Sequence, residues 1–348
     1  MKRTAAEEDP AIIRGVQIDI RMRDCYNEYY QYSQYMVFVI TGLKTMYYEP
    51  QDGGRKMKIG KKEFVFGKHT YVMGILNVTP DSFSDGGNYI GMDQALYQAE
   101  RMIAQGADII DIGGESTHPG YTMITDEEEI DRVVTVLRKL KENFDVPVSV
   151  DTYKTKVAQA VFEEGADLLN DIWGLKFQLL FDGKNEQGEQ ITDTSVPIAQ
   201  VAGKAGVPVC IMHNRKNKEY GNFFEEMQSD LLESVKIAID AGIPKDQLIL
   251  DPGVGFAKSY AQNLESIAKL EELKRLGYPV LLGTSRKSVI GLTLDLPVTK
   301  REEGTLVTTV MAAMAGCEFV RVHDVEKNVR AIRMYEAIRD WNTVGDGK

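Results

Sequence analysis

From residue 70 onward the chain alternates two patterns of apolar and polar positions. Short runs rich in Val, Ile and Leu stand at 71–76, 109–112, 146–150, 168–170, 207–212, 248–250, 280–282 and 319–322. Longer stretches with apolar residues three and four apart lie between them, as at 92–104, 126–142, 224–241 and 263–276. The first pattern predicts strands and the second amphipathic helices. Glycine follows the helical stretches, most visibly in the repeated Gly-Ala-Asp at 106–108 and 165–167, where it stops a helix ahead of the next strand. Eight such units in roughly 270 residues have the count and length of a (β/α)8 TIM barrel. An open, doubly wound sheet competes on strand count alone. The polar residues favour the barrel: Asn77, Asp111, Asp151, Asn170, His213, Asp251, Ser285, Arg321 and His323 all fall at or just past the C-terminal ends of the strands. In a closed barrel those ends meet at one mouth, whereas an open sheet would spread them along a line.

Two segments stand outside the repeat. Residues 1–56 read as an N-terminal extension of unassigned role, rich in tyrosine, ahead of a barrel domain over 57–348. At its end, RKMKIGKKEFVF (55–66) reads as a hairpin around Gly60 and Lys61 that closes the barrel floor. Met57 is a candidate translation start for the barrel alone, which the mass of the native protein would test. The polar stretch 176–195 reads as an inserted surface loop.

Composition narrows the partners. The 348 residues carry 41 Lys and Arg against 52 Asp and Glu, a formal net charge of −11 that opposes any general grip on nucleic acid or an anionic membrane. No apolar run approaches the length of a spanning helix, and the acidic start is unlike a signal peptide. Three scattered cysteines, Cys25, Cys210 and Cys317, form no CxxC pair, which points to a reducing, cytoplasmic setting.

The chemistry-bearing residues cluster in a few blocks. The run NVTPDSFSDGG (77–87) is a polar loop over the mouth, in which Asn77 offers an amide oxygen to Mg2+ and Asp81 and Asp85 can orient a substrate. In GGESTHPG (113–120), Ser116 and Thr117 can hold phosphate oxygens. Asp151, Asn170 and Asp251 come from three strands and point into one mouth, where desolvated carboxylates need a donor-rich partner such as an amino-pyrimidinone edge. Lys287 can pair with Asp251 or donate to a ring carbonyl. Arg321 and His323, two apart on the last strand, share a face and suit a diphosphate, while TSRKS (284–288) opens a helix that favours an anion. DPGVGFAKS (251–259) lacks the third glycine of a dinucleotide loop and the GK[ST] ending of a P-loop.

In order along the chain, GILNVTPDSFSDGG, DIIDIGGEST, SVDT, NDIWG, VPVCIMH, DPGVGF, GTSRKS and RVHDV closely resemble the dihydropteroate synthases of the pterin-binding family, from about residue 58 to 339. The resemblance implies condensation of 6-hydroxymethyl-7,8-dihydropterin diphosphate with 4-aminobenzoate, giving dihydropteroate and diphosphate. It further implies that Asp151, Asn170, Asp251 and Lys287 bind the pterin between Met212 and Phe256, and that Asn77 touches Mg2+. Thr117, Arg321 and His323 would hold the diphosphate. Phe83, Pro119 and Ser285 would frame aminobenzoate, with Asp85 closing over the reaction centre; Asp85, Asp151 and Lys287 carry the catalytic roles. A homodimer and sensitivity to sulfonamides are implied as well. Two departures stand out: His118 follows EST where the family usually has Arg, and NRKNKEYGNF (214–223) replaces the usual sequence after MH. Competing readings are a pterin-barrel methyltransferase acting between methyltetrahydrofolate and a corrinoid protein, and a catalytically silent pterin-binding protein.

Overall fold

The computed structural model describes residues 54–78, 87–116, 122–185 and 188–343, with backbone alone for 87–91. The expected extension over 1–56 thus lies outside the described residues except at its end. There the chain forms an antiparallel hairpin of β1 (Lys56–Ile59) and β2 (Lys62–Val65). Its alternation is strict: Lys56 and Lys58 face water while Met57, Ile59, Phe64 and Phe66 are buried. The turn residue Gly60 has φ +58°, and a Cβ there would meet Asp167 Oδ1 at 2.5 Å, so both conformation and space demand glycine.

Strands and helices then alternate. In order they are β3 (Tyr71–Asn77), α1 (Gly87–Ala104), β4 (Ile109–Gly113), α2 (Asp126–Asn143), β5 (Val148–Asp151), α3 (Thr155–Glu163), β6 (Leu168–Asp171), α4 (Phe177–Leu180), α5 (Ile198–Ala205), β7 (Val209–Met212), α6 (Phe223–Asp240) and β8 (Leu248–Asp251). The remainder are α7 (Tyr260–Ala268), α8 (Leu270–Lys274), β9 (Leu281–Leu282), α9 (Ser288–Leu294), α10 (Glu302–Met314), β10 (Phe319–Val322) and α11 (Val325–Arg339). The eight strands from β3 on are all parallel in the order β8-β7-β6-β5-β4-β3-β10-β9. Leu250 bridges to Val280, and its N–H donates to Pro279 O at 2.9 Å, which joins β8 to β9 and closes the ring. The open sheet is excluded, and the chain is a (β/α)8 barrel.

Side-chain alternation divides the strands into two cores. Outward residues such as Val72, Ile110, Val148, Leu169, Ile211 and Leu282 pack with the helices in one cluster. Inward residues Met73, Ile109, Leu168, Cys210, Ile249, Leu281 and Phe319 form a second cluster with the hairpin's Met57, Ile59, Phe64 and Phe66. The hairpin is therefore the floor. Phe64 meets Tyr71 edge-on at 4.8 Å and Phe319 at 5.6 Å between ring centroids.

Two local expectations change. The helix expected over 263–276 starts at Tyr260, because Ser259 and Gln262 cap one another reciprocally, and it breaks at Lys269 into α7 and α8. The stretch 176–195 is more than a surface loop. It opens with α4, whose buried Phe177 packs on Tyr153 at 4.5 Å, and it also buries Thr192. Among the described residues no helix is long and apolar enough to cross a membrane.

Candidate active site at the barrel mouth

Two residues beyond the apolar floor layer, period two turns the next position of each unit inward: Ile75, Asp111, Asp151, Asn170, Met212, Asp251, Gly283 just past β9, and Arg321. Here the barrel changes from oil to charge. Arg321 spans the lumen, with Nε on Asp111 Oδ2 at 2.6 Å and Nη2 on Asp151 Oδ2 at 2.8 Å. Asn170 Nδ2 reaches the same Asp111 oxygen at 3.3 Å. Asp251 Oδ1 accepts the Gly253 N–H at 2.7 Å. Gly283 adjoins this convergence: a Cβ there would stand 3.7 Å from Asp251 Oδ2, 3.8 Å from Arg321 Cβ and 3.9 Å from Lys287 Nζ, ordinary contact distances.

Lys287 enters from above, as the residue capping α9. Of the two partners open to it, Asp251 lies beyond ion-pair distance. The lysine Nζ instead donates to Val254 O at 2.5 Å and lies 4.8 Å from the centroid of Phe256. Phe256 belongs, with Met212, Tyr153, Ile172 and Phe177, to an apolar cluster at the rim. A charged layer thus sits beneath an aromatic wall, as a flat polar heterocycle requires.

Three buried carboxylates, Asp111, Asp151 and Asp251, face two partly buried cations, Arg321 and Lys287. The charge balance shapes their protonation. Burial pushes Asp151 up to about 7 against the pull of Arg321, and pushes Asp251 up against Lys287. Burial also lowers Lys287 to about 8, with Asp251 opposing. For Arg321 burial works against the charge, but Asp111 and Asp151 outweigh it and raise its affinity for the proton. Among the described residues, Asp111 Oδ1 and Asp151 Oδ1 are buried without a hydrogen-bond partner, so the layer holds acceptors open to donors.

Above β10, burial and the neighbouring Arg286 and Arg321 lower His323 to about 4. Nδ1 of the ring lies 2.9 Å from the Ser285 Oγ, which also accepts the His323 backbone N–H at 3.2 Å; with the ring proton on Nε2, the Ser285 hydroxyl donates to Nδ1. Arg321 is less available than its place beside His323 suggested. Two carboxylates hold its Nε and Nη2, and among the described residues only Nη1 makes no hydrogen bond. Asn77 is exposed at the end of β3; its Oδ1 hangs over Gly113, 3.6 Å from where a Cβ would stand, and no hydrogen bond to it forms among the described residues. Such an oxygen fits a Mg2+ ion that takes one protein ligand and fills its remaining positions with water and phosphate oxygens.

Phe83, Asp85, Thr117, His118 and Pro119 lie outside the described residues. His213, expected at the mouth, turns away: its buried ring lies between Lys258 and Asp230. Asp111, which the sequence marks only as a strand-end residue, is wholly buried at the centre of the layer and holds Arg321. Its spacing of two from Ile109 was the available signal, since both must share the inner face.

Comparison with known proteins agrees with this geometry. Residues 73–323 match the pterin binding enzyme family. A dihydropteroate synthase of Clostridium beijerinckii is 54% identical over 81% of this chain and 99% of its own. A solved dihydropteroate synthase of Clostridium difficile, described in the presence of pteroic acid, is 47% identical, covers 79% of this chain and 98% of its own, and has a TM-score of 0.72. The Xanthomonas albilineans enzyme, solved with 4-aminobenzoic acid, is 36% identical over 82% of this chain and 98% of its own, with a TM-score of 0.73. The chain belongs to the pterin-binding enzymes and, among them, to the dihydropteroate synthases, transferases of the folate pathway.

Proposed function

We propose that the barrel mouth condenses 6-hydroxymethyl-7,8-dihydropterin diphosphate with 4-aminobenzoate, releasing diphosphate. The observation that carries this reading is the inner layer itself, with three carboxylates against two cations and two orphaned carboxylate oxygens. A pterin's amino-pyrimidinone edge supplies the N–H donors those oxygens lack. Asp151, Asn170 and Asp251 take that edge, Lys287 donates to the ring carbonyl, and Met212 and Phe256 cover the faces.

The leaving diphosphate goes to the outer rim. There the His323 Nε2–H, the remaining Arg321 Nη1 and Thr117 receive it. Mg2+ at Asn77, when bound, supplies the positive charge that makes diphosphate a better leaving group. Buried Asp151 and Asp251 lie where they stabilise the positive charge that develops on the electron-rich ring as the methylene bond loosens. The family resemblance assigns Phe83, Pro119 and Ser285 to the arylamine and Asp85 to the reacting centre, and of these Ser285 lies among the described residues.

The enzyme acts as a homodimer in this reading. Val307, Met311 and Met314 make one exposed apolar stripe on α10, and Met334 and Ile338 another on α11, a surface suited to a second copy of the chain. A cytosolic site of action is supported by the two described cysteines, both unpaired and buried. The deciding experiment is a coupled assay of diphosphate release. Release requires both 4-aminobenzoate and Mg2+ if the proposal holds; release with either omitted refutes it.

A further inference from the structure

The end of β8 and the loop that follows it carry three groups of the proposed pterin site: Asp251 on the strand, and the Val254 carbonyl that holds Lys287 and the Phe256 ring on the loop. Its backbone is unusual. Gly253, Gly255 and Ala257 all have positive φ, at +67°, +92° and +42°. For Ala257 this conformation costs roughly 1–2 kcal/mol. A Cβ at Gly253 would lie 2.0 Å from His213 O, so the loop is also pressed against the end of β7. Such a path turns carbonyls inward, where they need donors.

One side chain supplies them. Lys258 is 4% exposed, and its Nζ lies 2.9 Å from Gly253 O, 3.1 Å from Phe256 O and 2.9 Å from His213 Nδ1. His213 O lies 3.4 Å away as well, so four acceptors surround an amine that has at most three protons to give. His213 presents Nδ1 as an acceptor because its Nε2–H donates to Asp230 at 3.0 Å, and Asp230 is fixed in turn by Arg215 Nε at 2.5 Å. A second tether runs in parallel: Arg215 stacks on Tyr220 at 4.4 Å, and the Tyr220 hydroxyl donates to Ala257 O at 2.9 Å. Arg215 and Tyr220 belong to the stretch NRKNKEYGNF, where this sequence departs from the usual family pattern.

We propose that Lys258 is a positioning residue for pterin recognition: by joining the Gly253 and Phe256 carbonyls to the His213–Asp230–Arg215 chain, it sets the Phe256 ring and the Val254 carbonyl that aims Lys287. Lys258 touches no substrate, and its effect falls on the pterin half of the reaction. The inference rests on the pterin site proposed above.

The test uses the full chain with Lys258→Met, Lys258→Gln, Tyr220→Phe and, as a reference for the site itself, Asp251→Asn. The expected result for Lys258→Met is a rise of about tenfold or more in KM for the pterin diphosphate. In the same variant kcat should stay within about threefold and the KM for 4-aminobenzoate within about twofold. Lys258→Gln, which keeps N–H donors for the carbonyls, recovers part of the loss. A folded Lys258→Met enzyme with an unchanged pterin KM overturns the proposal, as do equal rises in both KM values, which indicate a general structural role. Should Lys258→Met fail to fold, Tyr220→Phe decides: a rise of about threefold in the pterin KM alone supports the clamp, and no rise overturns it. If Asp251→Asn also leaves the pterin KM unchanged, the failure lies with the site and not with Lys258.

Discussion

Replacing Asp151 by Asn should make the protein more stable and nearly inactive, with the gain in stability dependent on pH. Asp151 is 7% exposed, and burial raises its carboxyl from 3.8 to about 7 despite Arg321. A raised carboxyl means that the folded state binds the proton more tightly than the unfolded chain does. Stability attributable to this group is therefore full below the unfolded value near 4 and declines as pH rises to about 7. A gap of roughly 3 pH units at 1.36 kcal/mol each corresponds to about 4 kcal/mol of cost above pH 7. Asn removes the charge and keeps an acceptor for Arg321 Nη2, now 2.8 Å from the carboxylate. Its own buried amide offsets part of the gain, so about 2–4 kcal/mol should be seen at pH 8 and little at pH 4.5. Urea unfolding of both proteins at the two pH values, followed by circular dichroism, measures this difference. Losing a charged acceptor for the pterin edge should cost about a hundredfold or more in kcat/KM. An Asn variant less stable than the parent at pH 8, or a difference independent of pH, would refute the assignment of Asp151 as a carboxylate strained for function.

Four further outcomes are expected. The profile of kcat/KM for the pterin substrate against pH should be bell-shaped, rising through about 7 as Asp151 ionises and falling through about 8 as Lys287 loses its proton; Lys287→Met should remove the alkaline limb along with most of the activity. Phe64→Ala in the barrel floor should destabilise the fold by about 3–5 kcal/mol in chemical denaturation while both KM values hold. A sulfonamide should inhibit competitively against 4-aminobenzoate, and a flat dose response at low 4-aminobenzoate would count against the arylamine site. Val307→Glu combined with Met311→Glu should halve the mass seen by light scattering, because two charges would enter the apolar stripe of α10.

Much of the fold was legible because it depends on period. Strands buried on both faces read as continuous Val, Ile and Leu runs, and all eight lie where those runs predict. The floor was legible for the same reason: Met57, Ile59, Phe64 and Phe66 alternate with lysines. The start of α7 was missed although its signal is local, since a Ser followed three residues later by Gln is a capping box. Phe177 was hidden differently. One aromatic in a polar stretch carries no period, and only its meeting with Tyr153 from the preceding unit makes that stretch part of the structure.

The site was legible in its residue types and faces but not in its pairings. Arg321 sits beside His323 in sequence, and both were assigned to an anion. Yet Asp111 lies 210 positions and Asp151 170 positions away along the chain, and both carboxylates reach the guanidinium because closure of the ring places three strands around one lumen. Lys287 was offered Asp251 and took a backbone carbonyl instead, since the loop after β8 turns Val254 O toward it. A buried charge selects the acceptor whose geometry best offsets its desolvation, and that choice is made by neighbours the sequence does not place side by side. The excess of carboxylates over cations in the layer does not depend on those choices. The strands by themselves contribute three carboxylates and one cation, Arg321, and that excess, fixed by alternation, already calls for a neutral, donor-rich ring at the centre and leaves the anionic leaving group to the rim.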